Sequence, residues 1–240
     1  MVESSVKQVK IAIIGGSGAT GREIIRCAKQ DPRVKEISVI VRRRLEEWKQ
    51  EDYLPELKII QRDNLDNLDE LQEQLQGYEI FISCLGARIK VGQQEWIKVE
   101  KEIPAAFSVL AKKCGAKYFS YLSGNLVNKN SRYYAMRAKG EAEVHIEQQQ
   151  IPISAMFRPG TLVNRDNDFR WVEWILAKLP GPKIENALLG YAMYHHSVAE
   201  TLKVKAKQCE QLNEEIKPNH IAIENEDIKA FAKLTKEGII

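Results

Sequence analysis

Unbroken apolar runs alternate with segments of helical periodicity through most of this chain. Val9-Lys10-Ile11-Ala12-Ile13-Ile14 lacks polar alternation from Ile11 onward, which predicts a parallel strand covered on both faces. A helix is predicted over roughly Thr20 to Gln30, stopped by Asp31-Pro32, and the run Glu36 to Val41 predicts a second strand. Leu57 to Ile60 reads as a short third strand, and leucines at 65, 68, 71 and 75 predict an amphipathic helix. Tyr78 to Leu85 is the fourth strand. Gln93 to Cys114 reads as one long helix with Trp96, Val99, Ile103, Phe107 and Leu110 on one face and a kink at Pro104. Lys117 to Leu122 and Ile153 to Phe157 are the fifth and sixth strands, separated by a helix over roughly Arg132 to Gln149. The last third is less regular: helices over Phe169 to Leu179 and Ser197 to Cys209 flank a turn at Pro180-Gly181-Pro182, and Trp171 and Trp174 read as packed core. The expectation is one doubly wound, mostly parallel α/β sheet with helices on both faces. It forms a single domain over residues 1–240, in which roughly 161–240 contribute a small, partly irregular C-terminal cap.

The first strand ends in Gly15-Gly16-Ser17-Gly18-Ala19-Thr20-Gly21, directly ahead of the first helix. Gly15, Gly18 and Gly21 are spaced to permit a tight turn, close approach of the backbone to a pyrophosphate, and close packing of helix on strand. The phosphate would sit on the free N–H groups of Ser17 to Thr20 at the positive end of the helix. The second strand ends in Arg42-Arg43-Arg44, with no acid at the position that accepts from the adenosine 2′-hydroxyl of NAD. Arginine there suits the 2′-phosphate, so NADP(H) is favoured over NAD(H); the competing reading is that the arginines only solvate a loop. Asp63 lies where the adenine edge would pass and could equally cap a helix. Gly86 and Ala87, small residues after the fourth strand, leave room for the nicotinamide-side ribose.

Composition adds exclusions. The 36 Lys and Arg nearly balance the 33 Asp and Glu, so the net charge of +3 argues for neither nucleic-acid nor membrane partners. No apolar run approaches the roughly 20 residues of a membrane span, and MVESSVKQVK has no signal-peptide core, which makes the cytoplasm the default compartment and leaves mitochondrial or nuclear association open. Cys27, Cys84, Cys114 and Cys209 include no C-x-x-C pair, and His145, His195, His196 and His220 have no ligand spacing, so no metal site is expected.

Together these residues resemble the atypical short-chain dehydrogenase/reductases, and within them the Tat-interacting-protein oxidoreductase family. The similarity is carried by Gly15 to Gly21, Val41-Arg42-Arg43, Cys84-Leu85-Gly86, Lys139-Gly140-Glu141, Phe157-Arg158-Pro159-Gly160 and His196-Ser197-Val198. It implies a Rossmann-type NADPH-binding domain with reductase activity of poorly defined breadth and regulatory roles. It also adds Leu85, Lys139 and Arg158 to the cofactor-binding set. The chemistry it implies uses a tyrosine to protonate a carbonyl, a lysine four residues later, and a serine that orients the substrate. Lys139 and Ser123 match, but the residue four before Lys139 is Ala135. Tyr134 would lie about 140° from Lys139 around an α-helix, against about 40° for the usual pair. Only a π-bulge would bring it round.

The expected function is therefore that of an NADP(H)-binding protein that is weakly active or non-catalytic and serves as a regulatory or structural subunit with protein partners. The alternative is a working NADPH-dependent reductase of a small carbonyl, with Tyr134 or a water held by Ser123 as proton donor.

Overall fold

The computed structural model describes residues 8–87, 91–163, 181–210 and 217–239. Within these, seven parallel strands form one sheet in the order β3-β2-β1-β4-β5-β6-β9. They are β1 (Val9–Ile14), β2 (Val34–Val41), β3 (Glu56–Gln61), β4 (Ile80–Ser83), β5 (Tyr118–Leu122), β6 (Ile153–Arg158) and β9 (Asn219–Glu224). Chain order runs outward from β1 to β3, then returns to start again at β4 beside β1. The β1/β4 boundary is thus the topological switch point, and the crevice beyond the carboxyl ends of these two strands is where such sheets bind ligands.

The lack of polar alternation in β1 follows from two separate cores. Ile11 and Ile13 face a layer made by α1 (Ala19–Ala28), α6 (Asn186–Glu210) and α7 (Asn225–Lys236), with Leu189, Met193, Tyr194, Val198 and Ile228 opposite them. Ala12 and Ile14 face α4 (Ile103–Lys113) and α5 (Tyr134–Gln148), where Phe107, Leu110, Ala142 and Ile146 are fully buried. Phe107 packs between Phe81 and Phe119 at ring-centroid separations of 5.2 and 6.0 Å.

Three elements differ from the expectation. Leu65, Leu68, Leu71 and Leu75 are buried as their spacing implies, yet only a 3₁₀ turn at Leu68–Leu71 and the short α2 (Gln72–Leu75) are helical. Asn64 explains the delay: its side-chain oxygen accepts from the Asp66 amide at 3.1 Å, the local turn that competes with helix. The long helix over Gln93 to Cys114 is instead α3 (Gln93–Ile97), a π turn (Lys98–Glu102) and α4, with Pro104 in the first turn of α4. The C-terminal third supplies more regular structure than its pattern suggests. Thr161–Val163 (β7) pairs with Lys183–Glu185 (β8), and α6 starts at Asn186, well before Ser197. A Cβ on Gly190 would lie 2.4 Å from the Glu23 Cβ, so this glycine lets α6 cross α1 at close range. The edge strand β9 is mostly half-buried or exposed, so it carries little hydrophobic signal. The helix expected over Phe169 to Leu179 lies outside the described residues.

His196 of α6 sits in the first core between Tyr118, Phe157 and Phe231, and its Nδ1 is 2.7 Å from the Tyr118 hydroxyl. Burial lowers its pKa to about 4, outweighing Glu200 on the next turn. An unfolded histidine titrates near pH 6.5, so the unfolded chain binds a proton that the native chain refuses as pH falls from about 6.5 towards 4. Stability from this site is full above that window and is lost within it. Wild type is expected to lose about 2 kcal/mol more than His196→Gln between pH 7 and pH 4.5 in urea titrations. Parallel pH profiles for the two proteins would show that His196 is not held neutral.

Candidate functional site

The turn after β1 is built from its glycines. Gly15 has φ of +81°, and a Cβ there would lie 2.5 Å from the Cys84 carbonyl carbon and 2.6 Å from the Leu85 nitrogen, so β1 and β4 end in backbone contact. Gly18 donates its amide to the Gly15 carbonyl at 3.0 Å, and a Cβ on Gly21 would lie 2.4 Å from that same oxygen. Gly16, which the three-glycine spacing leaves out, is equally constrained: its Cβ would meet Val39 at 2.5 Å. The doublet Gly15-Gly16 was the available signal for it. No side chain caps α1, and Ser17 and Gly18 are exposed ahead of its first turn. With the Gly18 amide spent on Gly15, the amides that open α1, which have no intrahelical partner, and the helix dipole favour an anion. Thr20 takes another part: it is buried and donates its hydroxyl to Asn186 Oδ1 at 2.7 Å, tying α1 to α6.

A cavity of about 560 Å³ opens at Ser17, Gly18 and Ala19 and runs along α1 past Arg22 to Trp48 and Tyr53. Arg22 donates to the Ser17 carbonyl at 3.1 Å and lies 3.6 Å from Glu47. Arg42 and Arg43 follow β2 directly and are exposed, whereas Arg44 donates to the Trp48 carbonyl at 3.1 Å. Asp63 is exposed just past β3 and caps no helix, since the next helical turn starts at Leu68 with Asn67 before it.

On the other side of the crevice the π turn places a residue that the sequence did not flag. Pro104 has no N–H to give the Glu100 carbonyl four residues back, and the Tyr121 hydroxyl donates to that oxygen instead at 2.5 Å. The Glu100 side chain is only 6% exposed, with its oxygens on two donors: the Ala87 amide at 2.7 Å and Lys139 Nζ at 2.7 Å. Lys139 also donates to the Leu122 carbonyl at 3.1 Å and lies over the Tyr121 ring. Burial opposes its charge, but Tyr121 and Glu100 more than offset this and hold its pKa above the usual lysine value. Burial likewise pushes the Tyr121 hydroxyl above its ordinary range. Backbone contact thus ties the glycine turn to Cys84 and Leu85, and the Glu100 carboxylate ties Ala87 to Lys139.

Ser123 and Arg158 belong to a neighbouring network. The Ser123 hydroxyl donates to Glu143 at 2.6 Å, and Arg158 grips the same carboxylate through Nε at 3.0 Å and Nη2 at 2.6 Å. Arg158 Nη1 also donates to Glu224 at 3.0 Å. Ser123 and Glu143 are buried. Tyr134 opens α5 as its first residue and packs edge-on against Trp96 at 5.5 Å. The helix is α throughout from Tyr134; the π turn of this protein lies in the segment before α4. Gly140 lets the preceding loop lie on α5, since a Cβ there would meet the Lys129 nitrogen at 2.3 Å.

Comparison with known proteins agrees with this geometry. Residues 10–102 match the family model "Semialdehyde dehydrogenase, NAD binding domain". The chain is 27% identical over 231 residues to Protein HTATIP2 of Rattus norvegicus, covering 95% of this chain and 90% of that protein. It is 28% identical over 187 residues to Protein FMP52-2, mitochondrial, of Scheffersomyces stipitis, covering 77% and 75%. Among solved structures, the Bordetella bronchiseptica enzyme WbmG in complex with NAD superimposes with a TM-score of 0.57 at 13% identity, covering 100% of this chain and 80% of that one.

Proposed function

We propose that the chain is an atypical short-chain dehydrogenase/reductase of the Tat-interacting-protein type and that, on its nicotinamide-dinucleotide-binding fold, it binds NADP(H) without efficient hydride transfer to a carbonyl. One observation carries this reading. Among the described residues no tyrosine hydroxyl stands free beside Lys139: the position four residues earlier is Ala135, and the Tyr121 hydroxyl donates to the Glu100 carbonyl. Tyr134 begins the helix about 140° away and packs on Trp96. The alternative donor, a water on Ser123, is poorly served by a buried hydroxyl that already donates to Glu143. Binding needs none of these groups. On this reading the cofactor would run from Arg42, Arg43 and Asp63 at its adenosine end, across the glycine turn, to Leu85 to Ala87 and Lys139, a course supported by the position of these residues at the carboxyl ends of β1 to β5. A protein that holds the cofactor without consuming it suits a regulatory or structural subunit, with the cofactor reporting redox state to protein partners.

The first test compares melting shifts at equal concentrations of NADPH and NADH. A ligand that binds only the native state stabilises it by mass action, so NADPH is expected to give the larger shift and Arg42→Ala/Arg43→Ala to remove the difference. Equal shifts in wild type would leave the arginines as solvated loop residues. For chemistry, Ala135→Tyr restores the tyrosine on the face of Lys139 and is expected to raise carbonyl reduction by about 100-fold over wild type. A wild-type rate that Tyr134→Phe abolishes would reinstate the reductase reading.

A further inference from the structure

We propose that the Glu100 carboxylate is an internal occupant of the subsite for the cofactor's second ribose, and that it sets how weakly the nicotinamide half is held. The inference rests on the dinucleotide reading and adds to it a residue that acts against the ligand. Ala87 follows the end of β4 and Lys139 donates to the Leu122 carbonyl at the end of β5, so both donors stand at the carboxyl edge of the sheet beside the switch point, on the side where the nicotinamide half would lie. A ribose diol binds by offering hydroxyl oxygens to such donors. Both are already taken by one carboxylate, Oε1 on the Ala87 amide and Oε2 on Lys139, each at 2.7 Å.

The backbone around Glu100 shows how the carboxylate is held there. The π turn Lys98–Glu102 shifts the register of the helical segment, and the Tyr121 hydroxyl pins the Glu100 carbonyl at 2.5 Å. The side chain retains its own torsions, so a ribose can take its place without moving the helix. Exchange is opposed because a charge-assisted pair is stronger than a hydrogen bond to a neutral hydroxyl. The adenosine half, on the far side of the phosphate turn, is untouched by this competition.

Calorimetric titration of wild type and Glu100→Gln with NADPH and with adenosine 2′,5′-bisphosphate, which has no second ribose, separates the two halves. Glu100→Gln is expected to bind NADPH about tenfold more tightly, with affinity for the bisphosphate unchanged. A weaker hold on NADPH, or equal changes for both ligands, would overturn the proposal and make Glu100 a positioning residue. If wild type binds neither ligand, the dinucleotide reading itself fails, and this inference with it. Bisphosphate binding without a gain for NADPH in the variant defeats only this inference. Should Glu100→Gln not fold, the Ala87 amide resonance of wild type decides. It is expected to shift on saturation with NADPH and to stay in place with the bisphosphate; no shift with bound NADPH contradicts displacement.

Discussion

Gly15→Ala is expected to lower stability by about 3 kcal/mol or more and to eliminate any NADPH-dependent melting shift. Two costs combine. Alanine is strained at φ of +81°, and its Cβ would lie 2.5 Å from the Cys84 carbonyl carbon and 2.6 Å from the Leu85 nitrogen. Neither neighbour is a side chain that can turn away; both are backbone at the end of a central strand. Relief requires β1 and β4 to separate where the crevice begins. Gly18→Ala is the informative contrast, because its φ is −73° and its Cβ would meet only the Gly15 carbonyl, at 3.2 Å. It should change stability by less than about 1 kcal/mol while weakening NADPH at least tenfold, as its methyl stands where phosphate must approach. Urea titration gives the stabilities and calorimetry the affinities. Full NADPH affinity in Gly18→Ala would remove the phosphate from this turn.

Arg158→Met is expected to cost about 3–5 kcal/mol, because it strands the buried Glu143 carboxylate with only the Ser123 hydroxyl. The arm of Arg158 to Glu224 contributes far less, since Glu224 is half exposed; Glu224→Gln should cost under about 1 kcal/mol. Adding Glu143→Gln to Arg158→Met removes the uncompensated charge and should recover much of the loss. The NADPH melting shift is expected to survive in Arg158→Met. If stability holds and the shift disappears, Arg158 serves the cofactor and not the fold.

The path of the sheet could be followed in the sequence because parallel strands covered on both faces leave continuous runs such as Ile11 to Ile14. The edge strand β9 escaped for the opposite reason: it is half solvated and polar at Asn219, His220 and Glu224. Gly190 and Gly140 each mark a close crossing that only the assembled structure reveals. Within the site, Gly15, Gly18, Gly21 and Ala135 were readable because each depends on local spacing. Glu100 was not. Its place depends on a π turn, on Pro104 withholding an amide, and on Tyr121 of a distant strand supplying the missing proton. Ser123 and Arg158 stood out in the sequence by position, but the partner that engages both, Glu143, stands one turn beyond Lys139 on α5, inside an ordinary amphipathic pattern.

Binding without turnover is the central claim, and the fluorescence of NADPH held by the wild-type protein, followed as aldehydes and quinones are added in turn, tests it most directly. The expected trace rises as NADPH binds and then stays level through every addition. A decay that tracks enzyme concentration, or no rise at all, would contradict the account.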